Sequence, residues 1–264
     1  MQTDFETMRL LHDRGLATVT LCRAENGNAV AAQFGRDFRA AALYCQNTPG
    51  VRAVLLNAEG KAFCVGGDLK AFAAMANLGP TVKDMTEDFH AGVSMLARMN
   101  APLVVAVQGA TAGAGLSMAC LGDIVIAGRA AHFSCAYPGV GFSADGGLTW
   151  LLPRLVGLRQ FQRLYYLGAR VSAEEALALG IVTEVVEDEA LGGRALAVAR
   201  QLAEGPTQAY GATRRLTLDT FGQSLETHLE QESGQISRLA AGADARGAIA
   251  AVAQRQRPTF SGKA

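Results

Sequence analysis

Residues 107–123 read VQGATAGAGLSMACLGD, and residues 61–70 read KAFCVGGDLK. Each stretch follows a β-rich apolar run and leads into residues with helical spacing. Small residues let the backbone turn sharply, and a helix that begins at such a turn presents free N–H groups that stabilise negative charge on a ligand. The two stretches therefore predict two strand–turn–helix corners able to hold an anion. For either stretch alone there is a simpler explanation, in which the glycines only allow the helix to pack closely against the strand.

Neither corner has the pattern of a phosphate-binding loop. No Gly-Lys-Ser or Gly-Lys-Thr follows either turn, which excludes a Walker A loop. Gly113-Ala-Gly115 continues as Leu-Ser-Met, so the third glycine of a dinucleotide fingerprint is missing.

Apolar β-rich runs alternate with helical patterns through the first two thirds of the chain. Alternating strands and helices imply right-handed crossovers and a largely parallel sheet, and hence an α/β fold. The predicted strands are Ala17–Leu21, Val51–Leu56, Leu103–Val107, Asp123–Ile126 and Ile181–Val186, and the predicted helices between them are Ala29–Gln46 and Asp84–Met99.

The pattern changes after about residue 195, where only helices are predicted. These helices are Leu196–Glu204, Pro206–Thr217, Phe221–Leu239 and Ala243–Gln254. We therefore divide the chain into a core that carries the site, residues 1–195, and a helical C-terminal region, residues 196–264.

Composition and charge restrict the class of protein. The chain has 264 residues, 50% of them apolar, and its 24 basic residues balance 24 acidic ones. A neutral chain lacks the basic surface of a general nucleic-acid binder, so no nucleic-acid partner is expected. No apolar run is long enough to span a membrane, and no secretory signal is recognisable. The five cysteines are odd in number and form no Cys-x-x-Cys pair, which favours free thiols in a reducing compartment, and we expect a cytoplasmic protein.

Four stretches in order resemble the crotonase superfamily, the enoyl-CoA hydratase/isomerase fold. Besides the two corners they are HFSCAYPGVGFSADGGLTWLLPRLVG at residues 132–157 and CRAENGNAV at residues 22–30, and the resemblance runs to PTFSGK at residues 258–263. It implies a ββα spiral core with a helical C-terminal region, an acyl-CoA thioester substrate, and a homotrimer or dimer of trimers. Coenzyme A is then part of the substrate, and no separate cofactor is expected.

The resemblance also implies an oxyanion hole. A thioester enolate carries a developing negative charge that two preorganised donors stabilise. By motif position these donors are the backbone N–H groups of Gly67 and Ala114. Asp68, at the start of the following helix, is expected to order the loop by capping.

The acid/base positions depart from the pattern of the hydratases in this superfamily. The two glutamates that hold water in hydratases are replaced here by Ser117 and Tyr137. The remaining carboxylate is Asp145, which resembles the acid of the isomerase branch, where one group can take a proton from one carbon and return it to another. A purely structural role for Asp145 is to cap a helix that starts at Gly146.

His90 and Asp145 also match the base and the nucleophile of the 4-chlorobenzoyl-CoA dehalogenases in the superfamily. The tryptophan that hydrogen-bonds this aspartate in the dehalogenases is replaced by Tyr137, which counts against that activity. A lone histidine on an amphipathic helix is also commonly just packed or solvated. We therefore treat His90 and Tyr137 as possible catalytic residues.

The family's contacts to coenzyme A map onto three parts of the sequence. In some relatives the residues that match Phe260 and Lys263 contact the ligand from a neighbouring subunit. The alternative for such a terminal segment is a frayed tail. The eight matching residues are Arg23 and Ala24, where the proline of the family's Arg-Pro turn is absent, then Val65, Gly66, Asp68 and Leu69, and finally Phe260 and Lys263.

Four hypotheses follow. An enoyl-CoA isomerase with Asp145 as the acid/base is preferred over a hydratase, over a dehalogenase-like hydrolase using Asp145 and His90, and over a non-catalytic acyl-CoA binder or RNA-binding relative. No metal site is expected, because the four histidines lie far apart and no Cys-x-x-Cys pair occurs.

Overall fold

A computed structural model describes residues 1–263 of the chain. Its strands are β1 Gln2–Asp4, β2 Met8–Asp13, β3 Leu16–Leu21, β4 Ala53–Ala58, β5 Leu103–Val107, β6 Ala110–Ala112, β7 Ile124–Gly128, β8 His132–Ser134, β9 Val171–Ser172 and β10 Glu184–Val186. Its helices are α1 Ala32–Asn47, α2 Leu69–Ala73, α3 Leu78–Arg98, α4 Ala114–Cys120, α5 Leu148–Tyr166, α6 Ala173–Leu179, α7 Leu191–Ala203, α8 Thr207–Asp219, α9 Leu225–Ala240 and α10 Ala243–Ala253.

Two sheets organise the core. The larger sheet has the order β1-β2-β3-β4-β5-β7-β10, antiparallel at β1-β2-β3 and parallel from β3 onward. The smaller sheet has the order β6-β8-β9. After β5 and after β7 the chain adds a short strand to the smaller sheet before it enters a helix, which is the repeated ββα unit that the resemblance to the crotonase superfamily implies.

The five residues of β5 show why this strand has no polar side chain. Leu103, Val105 and Val107 pack into the core that α1 and α3 cover, while Val104 and Ala106 face the opposite side of the sheet. That opposite side is covered by α7. A parallel strand buried on both faces reads as a continuous apolar run, which is how LVVAV reads.

The C-terminal region is helical, as predicted. Residue 195, the predicted boundary, lies within α7, whose buried residues pack on the sheet. The last two helices, α9 and α10, have no buried residue at all. No helix among residues 1–263 has the length and apolar character needed to cross a bilayer.

Several element limits differ from the predictions. Helix α3 begins at Leu78, six residues before the predicted Asp84, and α9 begins at Leu225 rather than Phe221. The first two strands and the short strands β6, β8 and β9 were not predicted. A strand of two or three residues has too little alternation to be distinguished from a loop by sequence.

Candidate active site

The two glycine-rich corners lie against each other. The N–H of Cys64 donates to the carbonyl of Ala110 at 3.2 Å, and the N–H of Ala112 donates to the carbonyl of Cys64 at 2.9 Å. A Cβ atom on Gly66, whose φ is +97°, would lie 3.2 Å from the Ala112 carbonyl oxygen. One on Gly113, φ +53°, would lie 3.4 Å from the Gly66 Cα. Glycine at both positions therefore allows the two turns to touch.

This contact brings the two predicted oxyanion donors to one place. Val30 donates to the Gly66 carbonyl at 2.7 Å and accepts from the Asp68 N–H at 2.9 Å. Successive amides of an extended segment point to opposite sides, so the N–H of Gly67 points away from Val30 and is free for a ligand. Ala114 is the first residue of α4, where N–H groups have no acceptor within the helix.

Both donors line a cavity of about 770 Å³. One wall is the first half of α3, and the other is the segment of residues 136–147 that leads into α5. The lining is mostly apolar and aromatic, with Phe72, Phe89 and Phe142 among its residues. A cavity of this size, apolar with a few polar groups, is typical of a small-molecule site.

Asp145 lies in this cavity and is held by two hydroxyl groups. The Tyr137 hydroxyl donates to Oδ1 of Asp145 at 2.6 Å. The Ser117 hydroxyl lies 2.9 Å from the main-chain carbonyl of Asp145 and 3.1 Å from the Tyr137 oxygen. Burial, followed by the charge of Asp145, raises the pKa of Tyr137 well above its usual range, so the phenol stays protonated and acts as a donor.

The helix-capping alternative for Asp145 is wrong. Helix α5 begins at Leu148, its N-cap residue is Gly147, and no side chain caps it. The Asp145 carboxylate is therefore available to the cavity.

His90 lies beside the same carboxylate but donates no hydrogen bond to it. Its Nε2 atom accepts the N–H of Gly146 at 3.0 Å and lies 3.4 Å from Oδ2 of Asp145. A ring nitrogen that accepts an N–H carries no proton of its own, so the neutral ring is protonated at Nδ1. In this tautomer Nε2 is turned toward Gly146, and Oδ2 of Asp145 receives no hydrogen bond from His90.

The first glycine-rich corner carries the predicted binding residues Val65, Gly66 and Leu69, and all three line the cavity. Asp68 caps α2, as expected, by accepting the N–H of Ala71 at 3.0 Å.

Arg23 and Ala24 lie beside this corner but do not line the cavity. The Arg23 guanidinium is 3.5 Å from Glu25. The turn is held to the corner by Asn28, which sequence reasoning missed. Its side chain accepts the N–H of Arg23 and donates to the carbonyls of Glu59 and Ala62.

The C-terminal tail is hydrogen-bonded rather than frayed, but it does not reach the cavity of its own chain. Arg52, just before β4, donates to the carbonyl of Phe260 at 2.9 Å. The cavity lies beyond the other end of β4, and six residues of strand span roughly 20 Å. Phe260 and Lys263 therefore lie far from the Asp145 of the same chain.

The first half of α3 is the largest part of the site that the sequence prediction missed. Leu78, Val82 and Met85 line the cavity together with Phe89. Their helical spacing was readable in the sequence, but the predicted helix, which began at Asp84, did not include Leu78 and Val82. Within residues 1–263, no group of three or more His, Cys, Asp or Glu is arranged to hold a metal ion.

A family model, enoyl-CoA hydratase/isomerase, matches residues 12–263. The chain belongs to the enoyl-CoA hydratase/isomerase family. The resemblance found in the sequence and the crotonase fold class are both confirmed, and the chain is an enzyme of this family.

Known members of the enoyl-CoA hydratase/isomerase family can be aligned with most of this chain. The 1,2-epoxyphenylacetyl-CoA isomerase of Escherichia coli is 33% identical over 95% of this chain and 97% of its own length. A 4-chlorobenzoyl coenzyme A dehalogenase of Arthrobacter is 29% identical over 84% of this chain and 81% of its own. A crystal structure from Mycobacterium abscessus, assigned to the enoyl-CoA hydratases/isomerases, superposes with a TM-score of 0.91 and 34% identity, covering 97% of this chain and all of the other, 100%.

Proposed function

We propose that the protein is an enoyl-CoA isomerase in which Asp145 carries the proton. One observation supports this most strongly. In the described part of the chain, Asp145 is the only carboxylate among the residues that line the cavity holding Gly67 and Ala114. Taking a proton from one carbon and returning it to the next needs only one such group.

In the proposed reaction the thioester oxygen accepts the N–H groups of Gly67 and Ala114. Asp145 takes a proton from the α carbon of a 3-enoyl thioester, and the electron pair moves onto the thioester oxygen. The dienolate then recovers the proton at its γ carbon, so the double bond moves next to the carbonyl and Asp145 is ionised again. Loss of one preorganised donor costs roughly 10²–10³ in rate.

The acyl-CoA is proposed to enter along the first glycine-rich corner. Val65, Gly66 and Leu69 line the cavity there, and Asp68 holds the turn through its cap. Arg23 and Ala24 lie on the adjacent turn, where the nucleotide end of the substrate would extend.

Hydration is less well supported by the geometry. A hydratase of this family needs two carboxylates for its water, and the corresponding positions are Ser117 and Tyr137. Ser117 is fully buried and bonded to protein oxygens, and the Tyr137 phenol already donates to Asp145. Neither group is a base near neutral pH.

A dehalogenase-like hydrolase is the second candidate, because of one hydrogen bond. In the dehalogenases a tryptophan donates a hydrogen bond to the aspartate, and its replacement by Tyr137 counted against this activity in the sequence. In the structure the Tyr137 hydroxyl itself donates to Asp145 at 2.6 Å, so the hydrogen bond is present. In that reaction Asp145 would displace halide from an aryl ring, and water activated by His90 would hydrolyse the resulting ester. The Nε2 lone pair of His90 is directed at Gly146, which favours the isomerase.

We further propose a homotrimer or a dimer of trimers in the cytoplasm. The exposed apolar residues of α9 and α10 support an assembly, since an isolated chain would leave them in water. All five cysteines are free thiols, and four of them are buried, which suits a reducing compartment.

The test is turnover of a thioester panel in deuterated water, followed by mass spectrometry. We expect 3-enoyl-CoA to become 2-enoyl-CoA with label at the γ or α carbon. Asp145→Asn should lose about 10²–10⁴ in kcat, with a smaller change in KM. Ser117→Ala should cost far less. Retained turnover in Asp145→Asn combined with its loss in Ser117→Ala would refute the assignment.

Two further experiments distinguish the isomerase from a dehalogenase and from a non-catalytic binder. An ester trapped on Asp145 with 4-chlorobenzoyl-CoA, and loss of its hydrolysis in His90→Gln, would establish the dehalogenase instead. Thermal unfolding with each thioester separates a binder from a protein that does not bind, because a ligand at 100 times its Kd adds about 2.7 kcal/mol of stability. A shift without turnover on any thioester would indicate a non-catalytic binder.

A further inference from the structure

Two side chains from separate parts of the fold hold Asp145, one at its main-chain carbonyl and one at its carboxylate. Ser117 is on α4, and Tyr137 begins the short 3₁₀ turn of residues 137–140. The Ser117 and Tyr137 oxygens lie 3.1 Å apart, and the Tyr137 oxygen lies 2.6 Å from Oδ1 of Asp145.

The direction of the last bond follows from chemistry. An ionised carboxylate only accepts hydrogen bonds, so the phenol of Tyr137 donates to Oδ1. The single hydrogen of the Ser117 hydroxyl is directed at the main-chain carbonyl of Asp145, so Tyr137 is the side chain that donates to the carboxylate. Hydrogen bonds to a carboxylate are short and about twice as strong as neutral ones, which fits the 2.6 Å distance.

The second carboxylate oxygen, Oδ2, has different surroundings. Nε2 of His90 lies 3.4 Å from it, and that nitrogen accepts the Gly146 N–H. Among the described residues that line the cavity, His90 and Tyr137 are the only titratable groups besides Asp145. The two oxygens of one carboxylate are therefore unequal, with Oδ1 engaged and Oδ2 free.

We infer that Tyr137 is a positioning residue that engages Oδ1 of Asp145 and leaves Oδ2 as the atom that carries the proton. This inference rests on the proposed isomerase function of Asp145. Tyr137 restricts the rotation of the carboxylate, because its hydrogen bond holds Oδ1 in one place. Without that bond both carboxylate oxygens are free to rotate in the cavity.

The test compares the kcat and KM of Tyr137→Phe with those of Tyr165→Phe. Tyr165 is a matched control, because its hydroxyl donates to the main-chain carbonyl of Phe142 in the same segment and does not contact Asp145. In Tyr137→Phe we expect kcat to fall by about tenfold, the effect of one hydrogen bond to a charged group. KM should change less than kcat, and Tyr165→Phe should leave both in place.

A second measurement needs no turnover. The side-chain carboxyl carbon of Asp145 is followed by carbon-13 NMR in the free protein, with Asp145→Asn used to assign its signal. Its chemical shift at neutral pH should change in Tyr137→Phe and, by a smaller amount, in Ser117→Ala, which also serves if Tyr137→Phe folds poorly.

An unchanged carboxyl signal in both variants, or an equal change of that signal in Tyr165→Phe, would overturn the inference. Full activity in Asp145→Asn would instead overturn the proposed function, whatever the NMR signal shows.

Discussion

The Nε2 atom of His90 lies 3.0 Å from the Gly146 nitrogen and 3.4 Å from Oδ2 of Asp145, and the neutral ring bonds only to the first. Protonation of Nε2 would exchange the Gly146 hydrogen bond for an ion pair with Asp145. The role of His90 in the proposed isomerase is therefore that of an acceptor that holds the turn beside Asp145.

We expect His90→Gln to keep most isomerase turnover and His90→Ala to lose more of it. A glutamine oxygen can accept the Gly146 N–H, whereas alanine leaves that N–H without its partner. The loss in His90→Ala should be about tenfold, corresponding to one hydrogen bond of about 1–1.5 kcal/mol. Steady-state kinetics of both variants decides this, and equal, near-complete loss in both would make His90 a proton carrier.

Gly67→Ala should reduce kcat by about tenfold or more, because it displaces an oxyanion donor. A Cβ atom there would lie 2.6 Å from the ring of Phe72, so either the ring or the residue 67 amide must move. The double variant Gly67→Ala/Phe72→Leu should recover part of the loss. Gly193→Ala, where a Cβ meets open space, is the control. No recovery in the double variant would contradict this explanation.

Arg214→Met should lower the free energy of unfolding by about 3 kcal/mol, the low end for breaking a buried ion pair. Only 9% of the Arg214 side chain is exposed, and it pairs with Asp123 at 2.8 Å. It also donates to the carbonyls of Leu96, Met99 and Ala101 at the end of α3 and the start of β5.

Urea denaturation measures this loss, with Arg39→Met as the control for Arg214→Met. Arg39 forms an exposed pair with Asp88, whose removal should cost less than about 1 kcal/mol. Similar losses in the two variants would show that Arg214 does not brace the core.

The C-terminal tail should loosen in acid because of Asp244. Partial burial acts to raise the pKa of Asp244, but hydrogen bonds from Ser261 and Gly262 outweigh it and hold the pKa below the ordinary 3.8. A lowered folded-state pKa stabilises the docked tail above 3.8, and that stability is lost as the pH falls through the folded value.

Hydrogen exchange of the Gly262 amide, measured by NMR, reports this docking. At neutral pH, Asp244→Asn should speed the exchange several-fold, and Asp219→Asn on an exposed site should not. Exchange that is unchanged in Asp244→Asn would mean that Arg52 and Gln208 hold the tail without the carboxylate.

The parent protein should sediment at about three or six times 27.6 kDa. Leu225, Leu229 and Ile236 lie on one face of α9 and are each more than half exposed in the single chain. Leu229→Glu/Ile236→Glu should dissociate the assembly, because it places charge in the proposed contact, while Glu230→Lys on another face should not. A parent that is monomeric at micromolar concentration would remove the trimer from the proposal.

The strand β5 and the two glycine-rich corners could be predicted because their causes are local. A strand buried on both faces must be apolar throughout, and a sharp turn next to another backbone needs glycine, as at Gly66 and Gly113. The start of α3 was missed for a local reason too. Gly79-Pro80 indicates a break, but Pro80 lies in the first helical turn, where a missing N–H breaks no hydrogen bond.

The sequence alone determined the fold class and the family, and it singled out Asp145 as the one carboxylate that matches an acid/base position of that family. It left the role of Asp145 undecided, because an aspartate can serve equally as a helix cap, as a nucleophile or as a proton carrier. Only the tertiary structure brought Tyr137, Ser117 and His90 around it, across separations of 8, 28 and 55 residues in the chain. No local pattern encodes a hydrogen bond between such distant positions, since it forms only when the sheets and helices have packed.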